Sequence, residues 1–263
     1  MNQVDKAGTQ YWENNWTDAD RPILFSEENK SLDNYVNIQL HEYFKSLFGE
    51  KKNFSILEIG SANSIWPIYF NQFFDARADG LDYSEVGCKK SRDLLKHHNI
   101  PGNIYCADLF EPPKEIQNKY DYVVSFGVVE HFEDTANCLQ SCAKLLKPGG
   151  TLITLIPNIP SIIGLIQKYV DREVYDVHMP LTKKKLSKAH QETSLKLQKC
   201  EHFMSINLSV VNSGSFSSNK YNKHLRHMLS APSKVCWILE KYGIRIPKNR
   251  FTSPYIIAVA QKT

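Results

Sequence analysis

Short apolar runs alternate with longer amphipathic stretches along much of this chain. The runs have the length of buried strands, and the stretches between them are polar or repeat apolar positions at helical spacing. Strands and helices that alternate in this way build βαβ units, and therefore a largely parallel sheet. The pattern predicts five strands, at Ser55–Ile59, Ala78–Asp82, Asn103–Ala107, Tyr120–Ser125 and Thr151–Pro157.

Helical spacing is clearest in four stretches around these strands. Asp33–Phe48 precedes the first strand, and a second helix follows Asp134, which is placed to cap it. After the fifth strand, Thr182 is placed to cap a lysine-rich helix. Asn219–Tyr242 also has a helical pattern, in which Pro232 predicts a break.

Two further apolar runs, Phe203–Leu208 and Tyr255–Ala260, have the pattern of the last strands. Before them, residues 159–179 are apolar and interrupted by Pro160 and Gly164. The chain therefore departs from a minimal α/β core after its fifth strand.

Composition limits the class of protein. With 263 residues, 42% of them hydrophobic, the chain can bury one substantial core, and we expect a single domain. It has neither the pattern of a secretory signal at its start nor a run near the ~18 apolar residues of a membrane span. We therefore expect a cytoplasmic protein without a membrane span. The net charge of +4 is mild, and its lysine clusters favour a solvated helix face over a nucleic-acid surface.

The six cysteines are scattered, with no CxxC pair and no His/Cys cluster at metal spacing. Cys138 and Cys142 would share one side of a helix, but two soft ligands do not complete a zinc site. We expect reduced thiols and no metal site.

A glycine turn follows the first strand, and an acid ends the second. Gly60 lets the chain turn where a side chain would collide with a ligand, and Asp82 is placed to accept hydrogen bonds from ribose hydroxyls. A dinucleotide site needs glycines at the first, third and sixth positions of the turn, whereas Ala62 and Ile65 occupy the last two. No basic side chain in the turn can meet a phosphate. These features favour a ligand without phosphate.

The core carries a series of short motifs: Leu57-Glu58-Ile59-Gly60, Asp82, Ala107-Asp108-Leu109, Tyr120 to Ser125 followed by Val129-Glu130-His131-Phe132, and Leu146 to Leu152. In this order and spacing they resemble the class I S-adenosylmethionine-dependent methyltransferases, especially the small-molecule branch that includes the ubiquinone-biosynthesis-type enzymes. The resemblance extends from about residue 53 to residue 158.

The resemblance implies an α/β, Rossmann-like fold. Its sheet has seven mostly parallel strands with an antiparallel last strand, helices cover both faces, and S-adenosyl-L-methionine is the cofactor. Asp108 and Leu109 match the positions that hold the adenine, while Phe126 and Gly127 match the backbone beside the methionine portion. The residues expected to bind the cofactor are Tyr11, Glu58, Gly60, Ala62, Asp82, Tyr83, Asp108, Leu109, Phe126 and Gly127.

The glycine turn is where the chain departs from the family, which has three alternating glycines there. Ala62 adds a methyl group, which a cofactor tolerates if the turn opens slightly, and Ser64 is a candidate hydrogen-bond donor. Glu58 is expected to fix the turn and to lie near the methionine amino group, as the family's acid does.

The chain is expected to form one methyltransferase domain, 1–263. Its parts would be an N-terminal arm and helices with a possible lid at 1–50, the cofactor-binding core at 53–158, and insertions near the acceptor site at 159–200 and 213–252. The aromatic cluster at residues 11–16 is open to two interpretations. It is either a packed arm or a lid, because relatives in this branch often carry a Tyr-Trp pair that folds over the cofactor.

Methyl transfer needs the nucleophilic atom of the acceptor to lie close to the methyl group of the cofactor. If that atom is a hydroxyl oxygen, a base must also take its proton. His131 follows the fourth strand at the ligand-binding edge of the sheet, and His178 ends the insertion after the fifth strand. Either histidine could instead shape its own loop. We expect a small-molecule acceptor and methylation of oxygen. An N- or C-methyltransferase, an RNA methyltransferase and a non-catalytic cofactor-binding module remain alternatives.

Overall fold

The protein folds around one sheet of seven strands. The computed structural model describes residues 5–211 and 220–263, and it gives only the backbone of 220–227. The strands are β1 Ser55–Ile59, β2 Arg77–Asp82, β3 Ile104–Cys106, β4 Tyr120–Phe126, β5 Leu146–Pro157, β6 Leu195–Phe203 and β7 Tyr255–Lys262. The helices are α1 Thr9–Thr17, α2 Tyr35–Phe48, α3 Trp66–Phe74, α4 Glu85–His97, α5 Thr135–Leu145, α6 Ile162–Val170, α7 Arg172–Asp176, α8 Lys183–Gln191 and α9 Lys220–Lys241.

The strand order is β3-β2-β1-β4-β5-β7-β6. The first five strands along the chain are parallel to one another, whereas β7 is antiparallel to both β5 and β6. The predicted fold class is therefore confirmed. The order reverses between β1 and β4, and ligands of open α/β sheets bind at the carboxyl ends of the strands beside such a reversal.

Apolar side chains fill both faces of the sheet. On one face α5 and α8 pack with Leu139, Leu145 and Leu186 inside, and on the other face α2 and α3 contribute Phe44 and Phe70. Close packing on both faces makes the strands a rigid support, so the loops at their ends hold fixed positions.

The two predicted helix caps, Asp134 and Thr182, are confirmed. The Asp134 side chain accepts a hydrogen bond from the Asn137 N–H at the start of α5, and the Thr182 hydroxyl accepts one from the Lys185 N–H at the start of α8. Among the described residues, no helix is both long and apolar enough to cross a membrane.

The prediction for the sixth strand is wrong. It was expected at Phe203–Leu208, whereas the strand is Leu195–Phe203, which begins inside the expected insertion 159–200. Residues 208–210 form a short 3-10 helix. Only the first and last residues of β6 are buried, because this edge strand has a single neighbour. Its sequence therefore lacks the apolar run of a central strand, and pairing with β7 decides its structure.

The predicted break at Pro232 is also wrong, because α9 continues through it. Contacts made by two residues that follow Pro232 stabilise the helix. The hydroxyl of Ser233 accepts a hydrogen bond from the Leu208 N–H at 2.8 Å, and the Trp237 ring stacks on Tyr35 with centroids 4.9 Å apart. Asn219, the first residue of the predicted helix, and residues 213–219 of the expected second insertion lie outside the described residues.

Candidate active site

The turn after β1 requires glycine at its first position. Gly60 has φ 75°, and a Cβ atom there would lie 2.4 Å from Cγ2 of Val128. The N–H groups of Gly60 and Ser61 both donate to the carbonyl of Leu81, which joins the turn to β2. The end of β1 is thereby held against the end of β2.

Asp82 ends β2, and its carboxylate is oriented by the backbone. Oδ1 accepts from the Ser84 N–H at 2.7 Å, and Oδ2 accepts from the Ala62 N–H at 3.1 Å. Burial raises the pKa of Asp82 to about 6, although these two N–H groups act against the rise. The carboxylate lines a cavity at the carboxyl edge of the sheet.

The Ala62 methyl group faces α4 rather than this cavity. A Cβ atom at Gly87 would lie 2.3 Å from the Cβ of Ala62, so α4 packs closely on the turn only because it has glycine there. The added methyl therefore needs no opening of the turn toward a ligand. Ala62 acts at the site through its N–H group, which holds Asp82.

Glu58 lies behind the turn with 3% of its surface exposed. The Ser64 hydroxyl donates to its Oε1 atom at 2.9 Å, while Oε2 has no hydrogen-bond partner in the described part of the chain. Burial raises the pKa of this carboxyl well above its ordinary value. Ser64, predicted as a hydrogen-bond donor, therefore donates to Glu58.

The cofactor cavity, as we name the cavity beside Asp82, has a volume of about 500 Å³. The expected cofactor residues that line it are Gly60, Asp82, Tyr83, Asp108, Leu109, Phe126 and Gly127. Its described lining includes three carboxylates, of Asp5, Asp82 and Asp108, but no lysine or arginine. Such a lining suits a ligand that carries ribose and positive charge, and it does not suit a pyrophosphate.

Residues that sequence reasoning did not assign also line the cofactor cavity. They come from the N-terminal arm and include Asp5, Trp12 and Trp16. Asp5 accepts a hydrogen bond from the Trp12 indole N–H at 2.9 Å and a short one from the Tyr83 hydroxyl. The aromatic cluster was the only sequence signal for this wall, and Asp5 had none.

A second cavity of about 520 Å³ adjoins the first and is named here the acceptor cavity. Trp12, Trp16, Gly127 and His131 line both cavities and form their common wall. Tyr11, which was expected to bind the cofactor, lines the acceptor cavity instead. The rest of its described lining comes from the end of the arm, the loop after β4, β5, β7, Val210 and the segment that includes α6 and α7. Most of these side chains are aliphatic or aromatic, and the polar ones include Asn15, Asp18 and Gln167.

The two candidate histidines meet at the acceptor cavity, with ring centroids 4.6 Å apart. The Nδ1 atom of His131 bonds the carbonyl of Val177 at 3.0 Å, and that of His178 bonds the carbonyl of Val174 at 2.6 Å. Burial lowers the pKa of both rings, that of His178 to about 4. The rings are therefore neutral at pH 7, and their carbonyl partners indicate that each carries its proton on Nδ1 and a lone pair on Nε2. The Gly127 carbonyl also lies within hydrogen-bonding reach of the His131 ring.

Glu130 stands beside this pair and is 1% exposed. Neither of its carboxylate oxygens has a hydrogen-bond partner in another described residue, and burial raises its pKa to about 8. One donor atom each from Glu130, His131 and His178 lie within 4.8 Å of one another. The sequence predicted both histidines as candidate catalytic residues, whereas Glu130 was identified only as part of the motif that carries His131.

The comparisons with known proteins agree with this geometry. Residues 31–201 match the family described as a methyltransferase domain. The chain is 25% identical over 205 residues to the demethylmenaquinone methyltransferase of Listeria welshimeri, which covers 73% of this chain and 84% of that protein.

Two solved structures share the fold. The geranyl diphosphate C-methyltransferase of Streptomyces coelicolor A3(2), solved with S-adenosyl-L-homocysteine, matches with a TM-score of 0.60 and 10% identity over 97% of this chain and 96% of that one. Phosphoethanolamine N-methyltransferase 2 of Haemonchus contortus, solved with S-adenosyl-L-methionine, matches with a TM-score of 0.61 and 16% identity over 97% and 58%. The chain therefore belongs to the class I S-adenosylmethionine-dependent methyltransferases, within the small-molecule branch that its motifs indicate.

Proposed function

We propose that this protein methylates a hydroxyl oxygen of a small molecule that binds in the acceptor cavity. The observation that carries the proposal is the pair of neutral imidazoles at the wall between the two cavities. Each presents an Nε2 lone pair that can accept a proton, and methylation of oxygen needs such an acceptor. An amine that is already deprotonated does not require such an acceptor.

S-adenosyl-L-methionine supplies an electrophilic methyl group on its sulfonium. In this proposal Asp82 accepts from the ribose hydroxyls, with Tyr83 beside it. Asp108 and Leu109 hold the adenine, and the backbone at Phe126 and Gly127 bounds the methionine portion. Holding both reactants in a fixed orientation supplies much of the acceleration in such a displacement.

The aromatic residues of the N-terminal arm cover the site in this proposal. Trp12 and Trp16 lie between the two cavities, and the Trp12 ring packs edge-on against His131 with centroids 5.1 Å apart. They exclude water from the region where the methyl group passes, which strengthens electrostatic interactions there. The arm thus serves as the lid of the site.

The lining of the acceptor cavity supports one class of acceptor. Its described walls carry the rings of Tyr11 and Tyr255 and aliphatic groups such as Ile159 and Ile163, with no lysine or arginine. We infer a flat, largely apolar acceptor with one or more hydroxyls and without phosphate. A phenol or quinol fits this description.

Methylation of carbon is the second candidate, and a specific observation favours it. The proteins similar to this chain include a demethylmenaquinone methyltransferase and a geranyl diphosphate C-methyltransferase. A ring carbon beside an ionised hydroxyl is a nucleophile too, so the same base could serve either outcome.

Product analysis separates the two candidates. The protein is incubated with cofactor labelled with ¹³C in the methyl group and with a panel of phenols and quinols, and the products are examined by NMR. We expect S-adenosylhomocysteine together with a methoxy carbon. A label found only on carbon or nitrogen would refute oxygen as the acceptor atom.

A further inference from the structure

We propose that Glu130, His131 and His178 form a binding site for one divalent transition-metal ion at the acceptor cavity. The role that we give to the ion, binding the hydroxyl of the acceptor, rests on the proposed function. The existence of the site rests on geometry alone. One donor atom from each of the three residues lies within 4.8 Å of the others.

The two imidazoles are arranged as metal ligands usually are. A ligating histidine commonly donates its other ring N–H to a backbone carbonyl, which fixes the tautomer and the ring orientation. His131 makes this hydrogen bond to Val177 and His178 makes it to Val174. Both acceptors belong to one short stretch of the segment after β5, so this stretch orients both Nε2 lone pairs.

Glu130 supplies the second, independent observation. A carboxyl group that is 1% exposed and has no hydrogen-bond partner in another described residue is unfavourable in its ionised form, because nothing replaces the water it has lost. A cation bound to its oxygens would supply the missing interaction. No described lysine or arginine lines the acceptor cavity, although Lys6 lies close enough to act electrostatically on both histidine rings.

The backbone joins the two segments that carry the donors. The N–H of Met179 donates to the carbonyl of Glu130 at 2.7 Å, so the residue after His178 is fixed to the loop that follows β4. Ligands about 2.0–2.2 Å from one ion lie about 3–3.5 Å apart. The three donor atoms now lie within 4.8 Å of one another, so they must approach one another to bind an ion.

The donor set indicates which ions fit. Two imidazoles and one carboxylate with open coordination positions suit Zn²⁺, Co²⁺ or Fe²⁺, whereas Mg²⁺ prefers oxygen ligands and keeps much of its water. All three residues line the acceptor cavity, so the open positions face the place of the acceptor. The site would therefore take an acceptor through an ionisable hydroxyl.

A cation here changes the role of the two rings from proton acceptors to ligands. A hydroxyl beside a divalent cation loses its proton to water more readily, so no protein base is needed. The acceptor oxygen then forms its bond to the methyl carbon, and the methyl–sulfur bond breaks with its electron pair left on sulfur. Charge and atoms balance with one proton released to water.

The test measures metal binding directly, without cofactor or acceptor. The full-length protein is treated with a chelator, and Co²⁺ is added while its visible absorption is followed, with Zn²⁺ as competitor and calorimetry as a second readout. Glu130→Gln and His178→Ala remove one ligand each. His97→Ala is the matched control, because it removes an exposed histidine on α4, outside both cavities.

We expect the wild-type protein and His97→Ala to bind one Co²⁺ that Zn²⁺ displaces, and both ligand variants, folded by circular dichroism, to bind it at least about tenfold more weakly. Absence of binding, or equal binding by all folded variants, would overturn the metal site. Full O-methylation by chelator-treated protein would also overturn it while leaving the proposed function intact. Metal binding without an O-methylated product would refute the proposed function alone.

Discussion

At the residue scale, the chain itself orients the Asp82 carboxylate before any ligand arrives. Two backbone N–H groups hold its oxygens, and one of them belongs to the turn after β1. A preorganised acceptor loses little conformational entropy on binding, so its hydrogen bonds contribute more to affinity. Asp82 was predictable from sequence because it ends the strand that pairs with β1, so it lies beside the glycine turn.

We expect Asp82→Asn to weaken binding of S-adenosylmethionine and S-adenosylhomocysteine by ~1.5–3 kcal/mol, because the ribose hydroxyls lose a charged acceptor. Calorimetry measures this loss. Asp93→Asn, which changes an exposed carboxylate on α4, is the control and should bind as the wild type does. Equal affinity in folded Asp82→Asn protein would contradict the ribose assignment.

Cofactor affinity should also depend on pH. Burial raises the pKa of Asp82 to about 6, and the Glu13 carboxylate adds to the rise. The carboxylate is the stronger acceptor, so affinity should fall as pH drops through that value, by about tenfold between pH 7 and pH 5. Titrations across this range test the sign, and Asp82→Asn should not show the effect. An affinity that rises toward low pH would rule out the ionised form as the binding form.

The histidine pair is the second residue-scale feature with a measurable consequence. We expect His131→Ala and His178→Ala each to lower turnover ~10²–10⁴-fold, with cofactor affinity nearly unchanged, because the acceptor would lose the group that handles its proton. Steady-state kinetics with His97→Ala as control measure this. If both variants turn over at the wild-type rate, catalysis depends only on how the two reactants are positioned. The mechanistic argument for oxygen as the acceptor atom is then lost.

At the element scale, α1 contains the aromatic cluster that the sequence identified without deciding between a packed arm and a lid. The helix contains no buried residue, yet Trp12 and Trp16 line both cavities. Its attachment is polar: the Glu13 carboxylate accepts from the Glu85 N–H at 2.8 Å at the start of α4. These contacts join distant segments, which periodicity along the chain cannot reveal.

We therefore expect removal of residues 1–17 to leave the core folded and to weaken cofactor binding roughly tenfold, the size expected for the loss of one or two aromatic contacts. Thermal unfolding and calorimetry together test this. Trp12→Ala in the full-length chain should reproduce part of the loss. If the truncated protein does not fold, the arm belongs to the core and is not a lid.

At the scale of the whole molecule, sequence reasoning predicted the sheet and the cofactor edge better than the acceptor side. Gly60 and Asp82 lie in motifs whose residues meet through neighbouring strands. Glu130 and His178 meet only because the segment after β5 folds back onto the loop after β4. The expectation of no metal site rested on cysteine spacing, and such spacing carries no information about donors from separate segments.

The central claim is that the methyl group passes across the wall between the cavities to an acceptor on the other side. Ile163 and Ile162 are adjacent on α6, and Ile163 lines the acceptor cavity while Ile162 is 43% exposed. The decisive measurement compares methyl transfer at saturating cofactor in Ile163→Phe and Ile162→Phe. The account predicts that Ile163→Phe alone loses at least roughly tenfold in turnover, with cofactor affinity unchanged, because the larger ring misplaces the acceptor. Equal turnover in the two folded variants would contradict it.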